Sequence, residues 1–180
     1  LARGRPQWRV TATDVSAEAL AVARANAASL SLGHVEFVLG SWLAPFEGRR
    51  FDLILSNPPY IGANEPELQS PALRHEPRGA LSPEGDALAS LRSIIHAAPS
   101  HLEPEGWILL EHGSSQAGEV AHELVARGFR HVRSHRDLAG HDRMTEGQRA
   151  RVLGVLGVRE EAQRQPVEPA HVGQLFEAGN

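Results

Sequence analysis

The sequence predicts an α/β protein built on a mostly parallel sheet with helices on both faces. Three observations carry this reading. Short apolar runs at 8–13, 35–39, 51–56 and 106–112 alternate with segments of helical period. The runs Leu53-Ile54-Leu55 and Trp107-Ile108-Leu109-Leu110 are continuously apolar at their centres, as strands covered on both faces are. The runs also end at Asp14, Gly40, Asn57 and Gly113, so turn-forming and chemically active residues gather at strand termini.

The first strand is Trp8 to Thr13, rich in β-formers and closed by Asp14. Ser16 then offers an N-cap hydroxyl, and Glu18 suits the positive end of the Ala-rich helix that runs to about Ala28. Gly33 breaks the chain, Val35 to Leu39 forms the second strand, and Gly40 stops it. Phe51 to Ser56 is the third strand. The stretch 61–83, rich in Pro, Glu and Gly, is longer than a simple connection requires. Ala87 to Ala98 repeats Leu88, Leu91, Ile94 and Ile95 on one helical face. Gly106 to His112 is a strand turned by Gly113. Gln116 to Ala126 is a helix closed by Gly128, Phe129 to Ser134 starts another strand, and a last strand is expected between Arg143 and Val155. Two units follow: 1–156 as one α/β domain, and 157–180 as a polar, partly disordered tail with no sustained period.

Composition removes several classes of function. The 180 residues suffice for one domain with a core, and no run approaches the ~20 apolar residues of a membrane span. The N-terminal residues lack the apolar segment of a secretory signal, so a cytoplasmic location is expected. With no cysteine, disulfides, thiolate catalysis and Cys-based zinc sites are excluded. All 18 basic residues are arginine, which excludes a Schiff-base lysine, and the net charge of −4 argues against a protein held mainly by nucleic-acid phosphates. The ten histidines form no His-Glu-x-x-His helix signature, and no metal site is expected. No Gly-x-Ser-x-Gly elbow supports a hydrolase.

The most specific feature is Asn57-Pro58-Pro59-Tyr60 at the exit of the third strand. Each proline removes a backbone donor and fixes φ, and Pro58 forces Asn57 into an extended conformation. The product is a stiff turn with one amide side chain, free carbonyls and an aromatic ring. Such an array suits a planar amide or amine: Asn57 and the Pro58 carbonyl can accept its N–H bonds while Tyr60 packs on its face. The plainer alternative is a proline-stiffened strand exit with an ordinary aromatic residue.

Asp14, Gly40-Ser41-Trp42, Asn57 to Tyr60 and Leu109-Leu110-Glu111-His112-Gly113 fall in one order along the chain. With Ile61, the stretch Arg74-His75-Glu76-Pro77, Ala80-Leu81, and Arg136 to Gly140 with Asp142-Arg143, they resemble the class I, S-adenosylmethionine-dependent protein-glutamine N5-methyltransferases of the release-factor (HemK-type) family. The likeness covers about residues 1 to 147. It implies a Rossmann-like sheet and transfer of a methyl group to the side-chain amide nitrogen of a glutamine in a peptide chain release factor. Under this resemblance Asp14, Trp42 and Asn57 bind the cofactor, Asp14 through the ribose hydroxyls and Trp42 over the adenine. Asn57, Pro58, Pro59 and Tyr60 hold the substrate, and Asn57, Pro58 and Tyr60 carry the catalysis, mostly by positioning. Asp14 as a helix cap and Trp42 as core packing are the structural alternatives. Adenine-N6 methyltransferases share Asn-Pro-Pro-Tyr, which leaves a nucleic-acid methyltransferase as the runner-up and an inactive fragment or interaction module as a third reading. The ribosomal-protein glutamine methyltransferase is a close variant.

In the resembling family a strand ending in Asp/Glu-x-Gly-x-Gly-x-Gly lies between the strands that here end at Asp14 and Ser56. No such segment precedes Asp14 in this chain, so the sheet is expected to lack its central first strand and the glycine-rich loop. The strands on either side then have unpaired edges, and cofactor binding is expected to be weak or absent in isolation.

Overall fold

The computed structural model describes residues 1–62, 68, 70, 77–83, 85–151 and 171–175, with Arg78 and 171–175 given by their backbone alone. In chain order the elements are β1 (Arg9–Asp14), α1 (Ala17–Ser29), β2 (Glu36–Leu39), β3 (Phe51–Ser56), α2 (Arg78–Leu81), α3 (Ala89–His101), β4 (Leu102–Glu111), α4 (Ala117–Ala126), β5 (Phe129–Arg136), β6 (Asp142–Arg149) and β7 (His171–Leu175). A short 3-10 turn at Ala44–Phe46 leads toward β3. The strands form one sheet in the order β2-β1-β7-β3-β4-β6-β5. β2, β1, β7, β3 and β4 pair in parallel, while β6 runs antiparallel to both β4 and β5. Among the described residues no helix is long and apolar enough to cross a membrane.

The expected α/β architecture is present, and local sequence explains its elements. Ser16 caps α1, its Oγ accepting the Ala19 N–H at 3.1 Å. α3 buries Leu91, Ile94, Ile95 and Ala98 completely, the stripe its period predicts. These side chains meet Ile54, Ile108 and Leu110 of the sheet and Val120 and Leu124 of α4 in the main core. The alternate residues Leu53 and Leu55 join Val10, Trp8 and Val35 in a smaller cluster on the opposite face, the side that α1 covers over β1 and β2. β4 starts four residues earlier than the apolar run suggests, because its register on β3 shifts between Phe51 and Leu53. Gly106 makes that irregularity possible: a Cβ there would lie 2.9 Å from the Glu103 carbonyl oxygen and 3.1 Å from that of Asp52.

The centre of the sheet differs from the sequence reading in one respect. Residues 171–175, inside the segment read as a polar tail, form β7, whose register matches Val10 to Val172 on one side and Leu53 to Val172 on the other. β7 thus fills the gap where the sheet was expected to lack a strand. The physical reason is that two facing rows of unpaired backbone groups on β1 and β3 favour any segment able to extend between them. His-Val-Gly-Gln-Leu has no strong period or β-propensity of its own, so a local reading passes over it.

Candidate active site

Asp14 is the last residue of β1 and only 5% exposed. Its Oδ1 accepts the Ser16 N–H at 2.7 Å, so it shapes the entry into α1, whose N-cap is Ser16 rather than Asp14. It also lines a cavity of about 760 Å3 walled by Val10 and Ala12 of β1 and by Leu20, Ala23 and Ala27 of α1. Asn57, at the end of β3, lines the same cavity. The two residues are separated by β7 yet meet one space, because parallel strands bring their carboxyl ends to the same edge of the sheet. The cavity has small-molecule size, an apolar wall and convergent polar groups at one end.

The Asn57–Tyr60 turn is anchored by its prolines. Pro58 and Pro59 are buried, Tyr60 is half-buried and Asn57 is exposed at the edge of the sheet. The Tyr60 hydroxyl donates to Glu111 Oε1 at 3.2 Å. Burial, then the Glu111 charge and its hydrogen bond, push the Tyr60 phenol above its ordinary value, with the Arg143 guanidinium opposing them. Asn57 also lines a smaller pocket of about 230 Å3 with Leu55, Leu109, Glu111, Arg143 and Met144. It therefore belongs to two spaces, one shared with Asp14 and one with Glu111 and Arg143. Glu111 and Arg143 bring one charge of each sign to that smaller pocket.

The remaining motifs sort by geometry. Trp42 takes φ +45, a left-handed conformation uncommon for a bulky residue, and its carbonyl accepts the Thr13 hydroxyl at 3.3 Å. Its ring packs against the main core, and Trp42 is not among the residues lining the Asp14 cavity. Gly40 permits this loop, since a Cβ there would lie 2.8 Å from Pro45 Cγ. The Arg136 to Arg143 motif is the turn joining β5 to β6. Asp137 accepts the N–H groups of Ala139 and His141 at 2.9 and 3.0 Å and Arg143 Nε at 3.2 Å. The His141 N–H first, with Arg143 and Ala139, holds the Asp137 carboxyl below the usual range. The turn thereby sets Arg143 beside Asn57 and Glu111, roles that the sequence did not assign to either charged residue. The expected motif residues Arg74, His75 and Glu76 lie outside the described residues.

The chain is similar to known methyltransferases. The family model of the methyltransferase small domain matches residues 1–89. The release factor glutamine methyltransferase of Pseudomonas aeruginosa is 47% identical over 148 residues, covering 82% of this chain and 54% of that protein. The enzyme of the same name from Yersinia pestis is 45% identical over 148 residues, covering 82% and 53%. This chain thus spans about half the length of the curated relatives it matches. In fold, a methyltransferase structure from Pyrococcus furiosus superposes with a TM-score of 0.60 at 19% identity, covering 79% of this chain and 63% of that one. Over about four-fifths of its length the chain is similar to proteins named release factor glutamine methyltransferases, and its first 89 residues match the methyltransferase small domain.

Proposed function

We propose that this chain carries the amide-holding and cofactor-binding residues of an S-adenosylmethionine-dependent enzyme that methylates the side-chain amide nitrogen of a glutamine in a Gly-Gly-Gln-type motif of a peptide chain release factor. The single observation that carries the reading is Asn57, which lines both the cavity it shares with Asp14 and the pocket it shares with Glu111 and Arg143. The first space suits the cofactor: it has the volume for a nucleoside-sized ligand and an acidic side chain able to accept ribose hydroxyls. Asp14 and Asn57 would hold the group there. When bound, S-adenosylmethionine supplies the methyl group.

The protein's own contribution is orientation. An amide nitrogen is a poor nucleophile because its lone pair is delocalised, so its N–H groups must be fixed with that lone pair aimed at the donor carbon. The Asn57 side-chain oxygen and the Pro58 carbonyl accept these N–H bonds, and Tyr60 closes on the amide plane. Transfer to that nitrogen would break the donor's S–CH3 bond and leave S-adenosylhomocysteine, and the N–H made acidic by the transfer would release its proton to solvent. Donors and acceptors already in place cost no reorganisation at that moment.

The test is methyl transfer from labelled S-adenosylmethionine to purified release factor, run beside DNA and RNA. Label on the release factor that is lost in Asn57→Ala supports the reading. Label on nucleic acid would favour an adenine methyltransferase, and no label on any acceptor would leave only a non-enzymatic role.

A further inference from the structure

The Asn57–Tyr60 turn is tied to its neighbours by side chains as well as by backbone. Pro58 and Pro59 have no N–H group, so fewer backbone donors are left to fix the turn, and the Ile61 N–H that follows it donates to the Leu81 carbonyl at 2.9 Å. Neighbouring elements hold it at three points: Leu81 at the Ile61 N–H, Glu111 at the Tyr60 hydroxyl, and Gln116 at the Tyr60 carbonyl. Gln116 is 7% exposed and stands at the entry of α4. Its Nε2 donates to the Tyr60 carbonyl at 2.9 Å. Its Oε1 accepts the Gly113 N–H, also at 2.9 Å. The Gln116 N–H in turn donates to the Gly113 carbonyl at 2.9 Å, so the residue is tied to the β4–α4 turn through both backbone and side chain.

That turn is itself locked. His112 is fully buried, its Nδ1 lies 2.9 Å from the Gly113 carbonyl oxygen and its Nε2 lies 2.8 Å from Thr145 Oγ1. A carbonyl only accepts, so Nδ1 carries a proton and donates it to Gly113, while Nε2 is left to bond the Thr145 hydroxyl. Ser134 Oγ completes the chain at 2.9 Å from Thr145 Oγ1. A continuous line of hydrogen bonds therefore runs from β5 through β6 and the β4–α4 turn to the Tyr60 carbonyl. Gly113 is also restricted in size: a Cβ there would sit 3.2 Å from Gln116 Oε1 and 3.6 Å from Tyr60 Cδ2.

We propose that Gln116 is a positioning residue, a two-sided amide clamp that sets the depth and tilt of the Asn57–Tyr60 turn and so aims Asn57 and the Pro58 carbonyl at the acceptor amide. The inference deepens the methyl-transfer reading and rests on it for its kinetic consequence. The clamp itself is open to a measurement without substrate. Tyr60 is the single tyrosine of the chain, so its phenol can be titrated by ultraviolet absorbance in the intact protein. Gln116→Met keeps the side-chain volume and removes both hydrogen bonds.

With the clamp gone, the ring loses its fixed burial against Glu111, and the phenol titration should move down toward the free value of about 10. In the transfer assay kcat should fall about tenfold to a hundredfold, with the KM for S-adenosylmethionine within about twofold of the parent, because a displacement near 1 Å misaligns the reacting atoms. Gln116→Glu, which retains the bond from Gly113 but not the one to Tyr60, should show the same kcat loss and serves if the Met variant fails to fold. An unchanged phenol titration in a folded Gln116→Met protein overturns the clamp, whether or not the parent transfers methyl groups. A parent without transfer activity refutes the enzymatic reading instead. A folded variant with parental kcat refutes the positioning role.

Discussion

Asp14 and Asn57 end two strands that do not pair with each other, yet they face one cavity across the carboxyl end of β7. Asp14 has two tasks, a hydrogen bond to the Ser16 N–H and a place in the cavity wall, and substitution can separate them. Asp14→Asn keeps a side-chain oxygen for Ser16 and removes the charge. It should leave the thermal midpoint within a few degrees and weaken S-adenosylmethionine binding about tenfold by isothermal titration. Asp14→Ala should add a stability loss of about 1–3 kcal/mol, because a buried N–H then lacks its charged acceptor.

β7 supplies backbone partners to β1 and β3 together, so its loss exposes two edges at once. Gly173 pairs with Thr11 on one side and Ile54 on the other. Gly173→Pro removes an N–H from the middle of the sheet and should lower stability by about 3 kcal/mol or more. A chain ended at Arg151 should lose its cooperative denaturant transition and associate through the bared strands. Equilibrium unfolding with sedimentation measures both, and a truncated chain that unfolds like the parent would show β7 to be dispensable.

Gly106 sits where three carbonyl oxygens approach within 3.2 Å of the position a Cβ would take. Gly106→Ala should destabilise the protein by about 1–3 kcal/mol through displacement of β4 from β3. Chemical denaturation reads this as a lower midpoint at unchanged slope.

Glu146 gives the fold a dependence on acid. Burial raises its pKa, but Arg133 and His135 outweigh burial with hydrogen bonds and charge and hold the carboxyl below its usual value. Arg133 Nη2 lies 2.8 Å and His135 Nε2 3.2 Å from Oε1. A carboxyl more acidic in the folded than the unfolded state stabilises the fold above its unfolded pKa and loses that contribution as pH falls through the folded one. The difference in urea midpoint between the parent and Glu146→Gln should therefore be full near neutrality and shrink below about pH 4.5. A difference that stays constant into acid would remove Glu146 from this role.

Strand and helix identity were legible because each apolar run carries its own period, and Leu91, Ile94 and Ile95 are buried as their spacing requires. The Asn57–Tyr60 turn was legible for a similar reason: two prolines fix φ wherever they occur. Gln116 and Arg143 were not assigned to the site, because their partners lie far along the chain. Gln116 meets Tyr60 across 56 residues, and nothing local marks a glutamine at a helix entry as a clamp. Trp42 shows the converse, since its place after β2 suggested a ligand contact while packing turns it toward the core.

The sequence by itself determined the alternation of elements, the acidic end of β1 and the stiff proline turn after β3, all of which follow from the identity, dihedral limits and periodicity of neighbouring residues. Only the tertiary structure decided which strand lies between them. β7 has little propensity of its own, and it is specified by the unpaired edges of β1 and β3. The same holds for the site, where Asp14, Asn57, Glu111 and Arg143 converge because sheet order, rather than chain order, decides which strand ends are neighbours.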